Sequence, residues 1–187
     1  MSSVKTVQFV EHLPPSPGSH FCAAVIWRLC EDPSRGEYEF LVISYSEEGR
    51  PGTETIKFPG GTNNTDLKEK QVGTMRREFL QEVLKPGTPR IEGLNGASAI
   101  AVVDKGPNHR QFFFLIGPGN LDREFWKKNS IRREQLREPP DKPGRPFELL
   151  GEPTWMSETE LRDKIFRSHA PVLEAAVEFI TSKRRPQ

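Results

Sequence analysis

The amino-acid sequence predicts an α/β fold, a sandwich of helices around a mixed β-sheet. Three observations lead to this class. Two β-branched and aromatic runs lie near the N-terminus, one amphipathic helical stretch lies at the centre, and strand-like residues precede a helix at the C-terminus. The chain of 187 residues fits one domain better than two. Many strands and few helices therefore favour a single sheet covered by helices.

The chain begins with an arm and a hairpin. Residues 1–19 end in Pro, Ser and Gly, and we expect them to form a flexible N-terminal arm before a domain that spans 20–187. Residues 21–29 and 37–46 are rich in β-branched and aromatic side chains. The turn sequence DPSRG between these two runs predicts a hairpin. A third, short strand is expected over 55–61, where the chain runs into two glycines.

Residues 67–84 are predicted to form a helix, because apolar side chains recur there at spacings of three and four. This apolar stripe consists of Val72, Met75, Phe79 and Val83. Pro86 and Gly87 end the helical pattern.

The remainder of the chain alternates between strand and helix patterns, interrupted by a charged, Pro-rich insert at 119–147. Strand character is expected at 96–104, 110–117 and 147–156, and helices are expected at 157–166 and 170–184. The first of these two helices opens with a capping-box pattern, Ser157 to Glu160.

Charge and hydropathy narrow the class of protein. The net charge is +1 at pH 7, which favours neither a nucleic acid nor a membrane surface as partner. The first residues lack the unbroken apolar stretch of a signal peptide, and no run approaches the length of a membrane span. We therefore expect a cytoplasmic protein that has no membrane partner.

Two carboxylates stand out in the central helix. Glu78 and Glu82 are four residues apart, so they share one helix face, about 5–6 Å apart at Cβ. They lie off the apolar stripe, and their mutual repulsion gives the helix no stability. A hard cation such as Mg²⁺, which prefers oxygen ligands, would reverse that repulsion. By itself, such a pair is most often a solvated helix face.

The residues around this pair resemble the Nudix box. That box runs glycine, five residues, Glu, seven residues, then Arg-Glu-apolar-x-Glu-Glu-x-Gly-apolar. The same order and the same seven-residue spacing occur here after a strand that runs into two glycines. The matching residues are Glu69, Arg77, Glu78, Phe79 and Glu82. The resemblance to Nudix hydrolases extends over residues 20–182 and implies an α/β/α sandwich around a mixed sheet.

The sequence departs from the box at four places. Seven residues separate Gly61 from Glu69, where the family pattern has five. Gln81 replaces the first glutamate of the pair, and its amide oxygen can bind a hard ion or its waters only without charge. Leu84 and Lys85 replace the glycine and the apolar residue that follows it.

The resemblance assigns metal-binding roles. Glu78 and Glu82 would be the main ligands of Mg²⁺ or Mn²⁺, with the carbonyl of Gly60 alongside and Gln81 in the outer part of the site. The metal would neutralise a diphosphate and activate a water. Glu78 and Glu82 are thereby also the principal candidates for catalysis.

Substrate-binding and supporting roles fall on other residues. Arg77 is expected to pair with Glu69, which would fix the loop against the helix, and it is also a candidate for substrate binding. Trp155 is a second substrate-binding candidate because it could stack on a base, although the apolar run around it favours a core position.

The general base is expected beyond the box, because family members often take a carboxylate from a later loop. Glu148 and Glu152 are the candidates, since both precede Trp155 in the last strand region. Glu138 and Glu134 in the insert are weaker candidates. The competing interpretation of each is a solvated charge.

The resemblance implies a metal-dependent hydrolase that cleaves the diphosphate bond of a nucleoside diphosphate linked to another moiety. The expected partner is therefore a small nucleotide, and a homodimer is a further state that the family allows. An alternative is a Nudix-fold module that binds or senses a nucleotide after losing catalysis, which Gln81 and Leu84 favour. A third hypothesis is an RNA-end hydrolase, supported only by the basic residues of the insert.

Overall fold

The computed structural model describes residues 7–15, 18–63, 68–88, 97–106, 108–119, 121–132, 136–140 and 143–184. Its strands are β1 Phe9–Val10, β2 Ser19–Leu29, β3 Tyr38–Glu47, β4 Arg50–Lys57, β5 Gly60–Thr62, β6 Ala99–Gly106, β7 His109–Ile116, β8 Leu136–Glu138, β9 Glu148–Leu150 and β10 Thr154–Ser157. Its helices are α1 Gln71–Val83, α2 Arg123–Asn129, α3 Glu158–Leu161 and α4 Ala170–Arg184. Among the described helices, none has the length and apolar character needed to cross a membrane.

The strands form one mixed sheet in the order β1-β6-β7-β2-β3-β9-β8, with β4 and β10 also paired to β3 and β5 paired to β2. Strand β2 runs parallel to β7 and antiparallel to β3, so the sheet is mixed around its centre. The expected hairpin is confirmed, because Trp27 pairs with Phe40 and Leu29 pairs with Tyr38. The predicted α/β class with a mixed sheet is therefore confirmed.

Alternate side chains of the central strands pack into two cores, one on each face of the sheet. Cys22, Ala24 and Ile26 of β2 pack in the core that contains Met75 and Phe79 of α1. Ala23 and Val25 belong to the opposite core, which α4 covers with Val172, Leu173, Ala176 and Ile180. The sandwich layers thus follow from the two-residue period of the strands and the apolar stripe of each helix.

Several elements differ from the predicted ones. The strand expected over 55–61 is two strands, because Pro59 has no N–H to continue a ladder and the chain turns between β4 and β5. The helix expected over 157–166 is the single turn α3, although its capping box between Ser157 and Glu160 is present as predicted. Helix α1 begins at Gln71, four residues later than expected.

The arm and the insert carry more structure than the sequence suggested. Phe9 and Val10, predicted to lie in a flexible arm, form β1 against the edge of β6. The ring of Phe9 packs 6.0 Å from that of Phe179 in α4, which supplies the apolar contact that holds the strand. The insert at 119–147 contributes α2 and β8, and Trp126 of α2 is 3% exposed in the core beside Phe79.

Candidate functional site

A pocket of about 160 Å³ lies where the turn between β4 and β5, helix α1, strand β9 and the start of α4 approach one another. Four carboxylates and one ammonium line it, which gives this part of the wall a formal charge of −3. We call this group the acidic lining: Lys57, Glu78, Glu82, Glu138 and Glu148. A second group, the aromatic lining, comprises Phe21, Tyr45, Phe166 and His169.

Glu82 is the most deeply buried carboxylate of the acidic lining, with 1% of its surface exposed. The helical spacing of four residues places it on the same face of α1 as Glu78. Its Oε2 accepts a hydrogen bond from the N–H of Gly60 at 2.7 Å. Burial raises the pKa of Glu82 to about 7, although the nearby ammonium of Lys57 opposes the rise.

Lys57 contacts both helix α1 and strand β5. Its Nζ donates to Oε1 of Glu82 at 3.2 Å and to the carbonyl of Gly60 at 3.3 Å. Burial alone would lower the pKa of Lys57, but the carboxylates around it, led by Glu82, hold that pKa above its usual value. Sequence reasoning missed Lys57, because no pattern in the sequence marks it as a pocket residue.

Arg77 links helix α1 to Glu69 and to the end of strand β5. It donates to Oε1 of Glu69 at 2.9 Å, to Oε2 of Glu69 at 3.0 Å and to the carbonyl of Thr62 at 3.0 Å. It also forms an ion pair with Glu78. The predicted pairing of Arg77 with Glu69 is confirmed. The prediction that Arg77 binds substrate finds no support, because its guanidinium is engaged by the chain and it does not line the pocket.

Glycine is required at two positions of β5 by close packing. A Cβ on Gly61 would lie 2.6 Å from both carboxylate oxygens of Glu78, so strand and helix touch at the carboxylate itself. A Cβ on Gly60 would lie 2.6 Å from the Cα of Ala23 and would also collide with the carbonyl of Cys22. Gly60 and Gly61 therefore allow α1 and its glutamates to pack directly against the sheet.

The structure separates the candidates for the general base. Glu148 and Glu138 line the pocket, although Glu138 was the weaker candidate from the sequence. Glu152 does not line this pocket: its side chain is exposed and lines a different one. The reason is that Glu148 lies in β9, whereas Glu152 follows the end of that strand. Glu134 lies outside the described residues.

Two further predicted residues lie away from the pocket. Gln81 is exposed on α1 and does not line the pocket, because it stands one residue before the inward-facing Glu82 and therefore on another side of the helix. Trp155 lines the same pocket as Glu152, where the guanidinium of Arg28 lies 3.8 Å from its ring centroid. Its ring also packs against that of Trp126, with centroids 5.6 Å apart, so Trp155 bridges the core and the surface.

His169 is a pocket residue that the sequence did not assign to the site. It is 2% exposed and lies at the start of α4, where its ring stacks on Phe58 with centroids 5.6 Å apart. Its Nδ1 accepts a hydrogen bond from the N–H of Phe58 at 3.1 Å. Burial lowers the pKa of His169 to about 3, so the ring is neutral at physiological pH and its proton is on Nε2.

The donor atoms of the acidic lining are of the type that a hard divalent cation prefers. Their present positions, however, do not form a complete metal site. The four carboxylates of the lining and the nearby backbone carbonyl of Gly60 supply oxygen atoms, the ligands that Mg²⁺ and Mn²⁺ prefer. No three Asp, Glu, His or Cys side chains in the described part of the chain converge closely enough to hold a metal ion. Glu78 is held by Arg77 and Glu82 by Lys57, so a cation would compete with the chain's own positive charges.

Solved structures with a similar backbone include three from bacteria. The ORF135 protein of E. coli is 13% identical, over 90% of this chain and 94% of that one, with a TM-score of 0.49. A NUDIX hydrolase from Nitrosomonas europaea is 18% identical, over 89% and 90% of the two chains, with a TM-score of 0.44. A mutT/nudix family protein from Listeria innocua is 15% identical, over 90% and 98%, with a TM-score of 0.47.

No protein-family model matches the chain, and no curated protein matches it. At the identities and TM-scores of the three structures, their similarity carries no argument about function. The fold class stated above follows from the strand order and the layers of this chain. The class of protein that fold and pocket define is an α/β protein with a carboxylate-rich cleft.

Proposed function

We propose that this protein is a metal-dependent hydrolase that cleaves the diphosphate bond of a nucleoside diphosphate linked to another moiety. The observation that carries the proposal is that Glu78 and Glu82, both from the box-like segment, line one pocket together with Glu138 and Glu148. Four carboxylates in the wall of one pocket repel one another and cost stability, which favours a cation-binding role.

Glu82, Glu78 and the carbonyl of Gly60 are the groups that would hold Mg²⁺ or Mn²⁺. The bound metal would neutralise the diphosphate and make a water more acidic. Glu82 is oriented by the N–H of Gly60, and Glu78 is oriented by Arg77. These contacts hold the two carboxylates in place before a substrate arrives.

Glu148 and Glu138 are the candidates for the general base. In the proposed reaction one of them accepts a proton from water as the water oxygen forms a bond to phosphorus. The bond between phosphorus and the bridging oxygen breaks, and the products are two compounds that each end in a monophosphate. His169 is a poor base at neutral pH because its pKa lies near 3.

The proposal is tested by incubating the protein with a panel of nucleoside diphosphate derivatives, with Mg²⁺, with Mn²⁺ and with EDTA. The panel contains sugar nucleotides, a dinucleoside diphosphate and ADP-ribose, and ³¹P NMR follows the products. Metal-dependent appearance of two monophosphate-ended products supports the hydrolase. An intact panel with either metal contradicts it.

A nucleotide-binding module without catalysis is the second candidate, and the position of Lys57 favours it. Lys57 already neutralises part of the charge of Glu82 and occupies the carbonyl of Gly60. A module of this kind would bind a nucleotide equally well in EDTA and in Mg²⁺ and would release no product. The same panel, with binding measured alongside hydrolysis, separates the two candidates.

A further inference from the structure

Gln111 carries an unsatisfied polar atom in the wall of the proposed active site. It lies in β7, opposite Phe21 of the parallel neighbour β2, and both residues line the pocket. The Oε1 of Gln111 is buried and has no hydrogen-bond partner among the residues that the structure describes. A buried acceptor without a partner is costly to a folded chain, so this atom is a site for a donor from outside the chain.

The surroundings of Gln111 suit a flat ring. His169 packs against Phe21 with ring centroids 5.9 Å apart and against Phe166 with centroids 5.7 Å apart. Tyr45 lies 6.3 Å from Phe166, so the four rings of the aromatic lining form one connected group. Phe166 is 43% exposed, which leaves part of its ring open to a ligand. Aromatic side chains of this kind stack on heteroaromatic rings with little regard to their identity.

The wall of the pocket near Gln111 offers one hydrogen-bond acceptor and one donor. Gln111 offers an acceptor through Oε1. His169 uses Nδ1 to accept from Phe58, so its remaining ring nitrogen, Nε2, bears the proton and is a donor. An acceptor and a neutral donor beside a group of aromatic rings match a heteroaromatic ring that has an N–H donor and a ring acceptor on its edge.

We propose that the aromatic lining binds the base of the substrate, and that Oε1 of Gln111 accepts a hydrogen bond from an exocyclic amino group on that base. This inference rests on the proposed function, since it names the substrate of the same pocket as a nucleotide with an amino-bearing base. Gln111 is then a specificity-determining residue. It discriminates against bases without the amino group because they leave Oε1 buried and unpaired.

The test uses uncharged nucleosides in EDTA, so that neither metal nor phosphate is required. Three pairs differ by one amino group: adenosine and purine riboside, guanosine and inosine, and cytidine and 2-pyrimidinone riboside. Binding is followed through the amide signals of the pocket residues in ¹H–¹⁵N NMR titrations. In at least one pair, the wild-type protein should bind the amino-bearing member about tenfold more tightly.

Gln111→Leu should abolish that preference and leave the weaker member's affinity within about twofold. Gln111→Met, which keeps the unbranched shape without an acceptor, serves the same purpose if the leucine variant does not fold. Gln8→Leu makes the same chemical change at an exposed position outside the pocket and should keep the preference. Equal binding within all three pairs, absence of binding, or a preference that survives in both Gln111 variants overturns the inference.

The two proposals fail separately. Metal-dependent hydrolysis with no nucleoside preference would overturn the role of Gln111 and leave the hydrolase intact. A preference that disappears in Gln111→Leu, in a protein that cleaves no diphosphate, would overturn the hydrolase and leave the base site intact.

Discussion

Lys57 and Glu82 show how single residues shape this pocket. Both side chains are buried, with 11% and 1% of their surfaces exposed, and their charged atoms lie 3.2 Å apart. A buried ion pair gives little net stability, because desolvation offsets most of the attraction, yet removal of one partner is costly. The pair therefore indicates that a charge at Glu82 serves a purpose other than stability.

Glu82→Gln should remove part of the pH dependence of stability. Burial raises the pKa of Glu82 from 4.5 to about 7, so the folded chain keeps a proton that the unfolded chain loses within this range. The unfolding free energy contributed by this group therefore falls as pH rises from 4.5 towards 7. In metal-free urea titrations, wild type should lose roughly 1–3 kcal/mol more than Glu82→Gln across that window.

The contributions of other titrating groups to the pH dependence of the unfolding free energy cancel when wild type and Glu82→Gln are compared. Burial lowers the pKa of His20 and that of His169, and each of these shifts makes stability increase with pH below about 6.5. Both histidines are present in wild type and variant alike. Parallel pH profiles for the two proteins would show that Glu82 keeps an ordinary pKa.

Lys57→Met should expose the competition between the lysine and a metal ion. The change keeps an unbranched side chain and leaves Glu82 without its cation, which costs roughly 2–4 kcal/mol of unfolding free energy in EDTA. Mg²⁺ should restore more of that stability in the variant than it adds to wild type, because a cation that binds only the folded form stabilises it. Equal effects of Mg²⁺ on the unfolding of both proteins would argue against a metal at this position.

At the scale of elements, the site depends on strand β5 and helix α1. Only three residues form β5, yet two of them contact the carboxylates of α1. The N–H of Gly60 donates a hydrogen bond to Glu82, and Gly61 packs directly against Glu78. Arg77 adds a second connection from α1 to the Thr62 carbonyl at the end of β5. The helix is thus fixed to the sheet at the residues proposed to act in catalysis.

Gly60→Ala and Gly61→Ala should separate stability from activity. The new methyl group at Gly60 meets backbone atoms of β2, which cannot move cheaply, so we expect a loss of roughly 2–3 kcal/mol in unfolding free energy. The methyl group at Gly61 meets the end of the Glu78 side chain, which can move aside. We therefore expect a loss of only about 1 kcal/mol, with turnover reduced at least tenfold.

Urea unfolding and steady-state kinetics on the same two variants provide the measurement. A Gly61→Ala protein with normal turnover would show that the position of Glu78 against β5 does not matter to the reaction. A Gly60→Ala protein as stable as wild type would contradict the packing between β5 and β2.

At the scale of the whole molecule, the sequence predicted what depends on local periodicity. The spacing of Glu78 and Glu82 and the two-residue alternation of the central strands are local patterns, whereas the pairing of Arg77 with Glu69 was implied by the family resemblance. The structure contains all three. The mixed sheet followed because its strands and helices could be recognised one by one.

Residues brought together by long-range packing were not predictable in the same way. Lys57 and Gln111 reach the pocket only because β4 and β7 assemble with distant elements, and neither residue belongs to a recognisable pattern. Glu148 and Glu152 looked equivalent in sequence, yet the chain leaves β9 at Leu150 and carries Glu152 to another surface. Strand ends are set by tertiary pairing, which explains why the two glutamates differ.

The most direct test of the central claim is metal-dependent turnover of one diphosphate substrate by wild type, Glu82→Gln and Glu152→Gln. We expect Glu82→Gln to lose at least about a hundredfold in kcat/KM, because it removes a charge proposed to bind the metal, and Glu152→Gln to stay within about twofold of wild type. Folding is checked by circular dichroism for each protein. Near-normal turnover by a folded Glu82→Gln protein would contradict the assignment of this pocket as the active site.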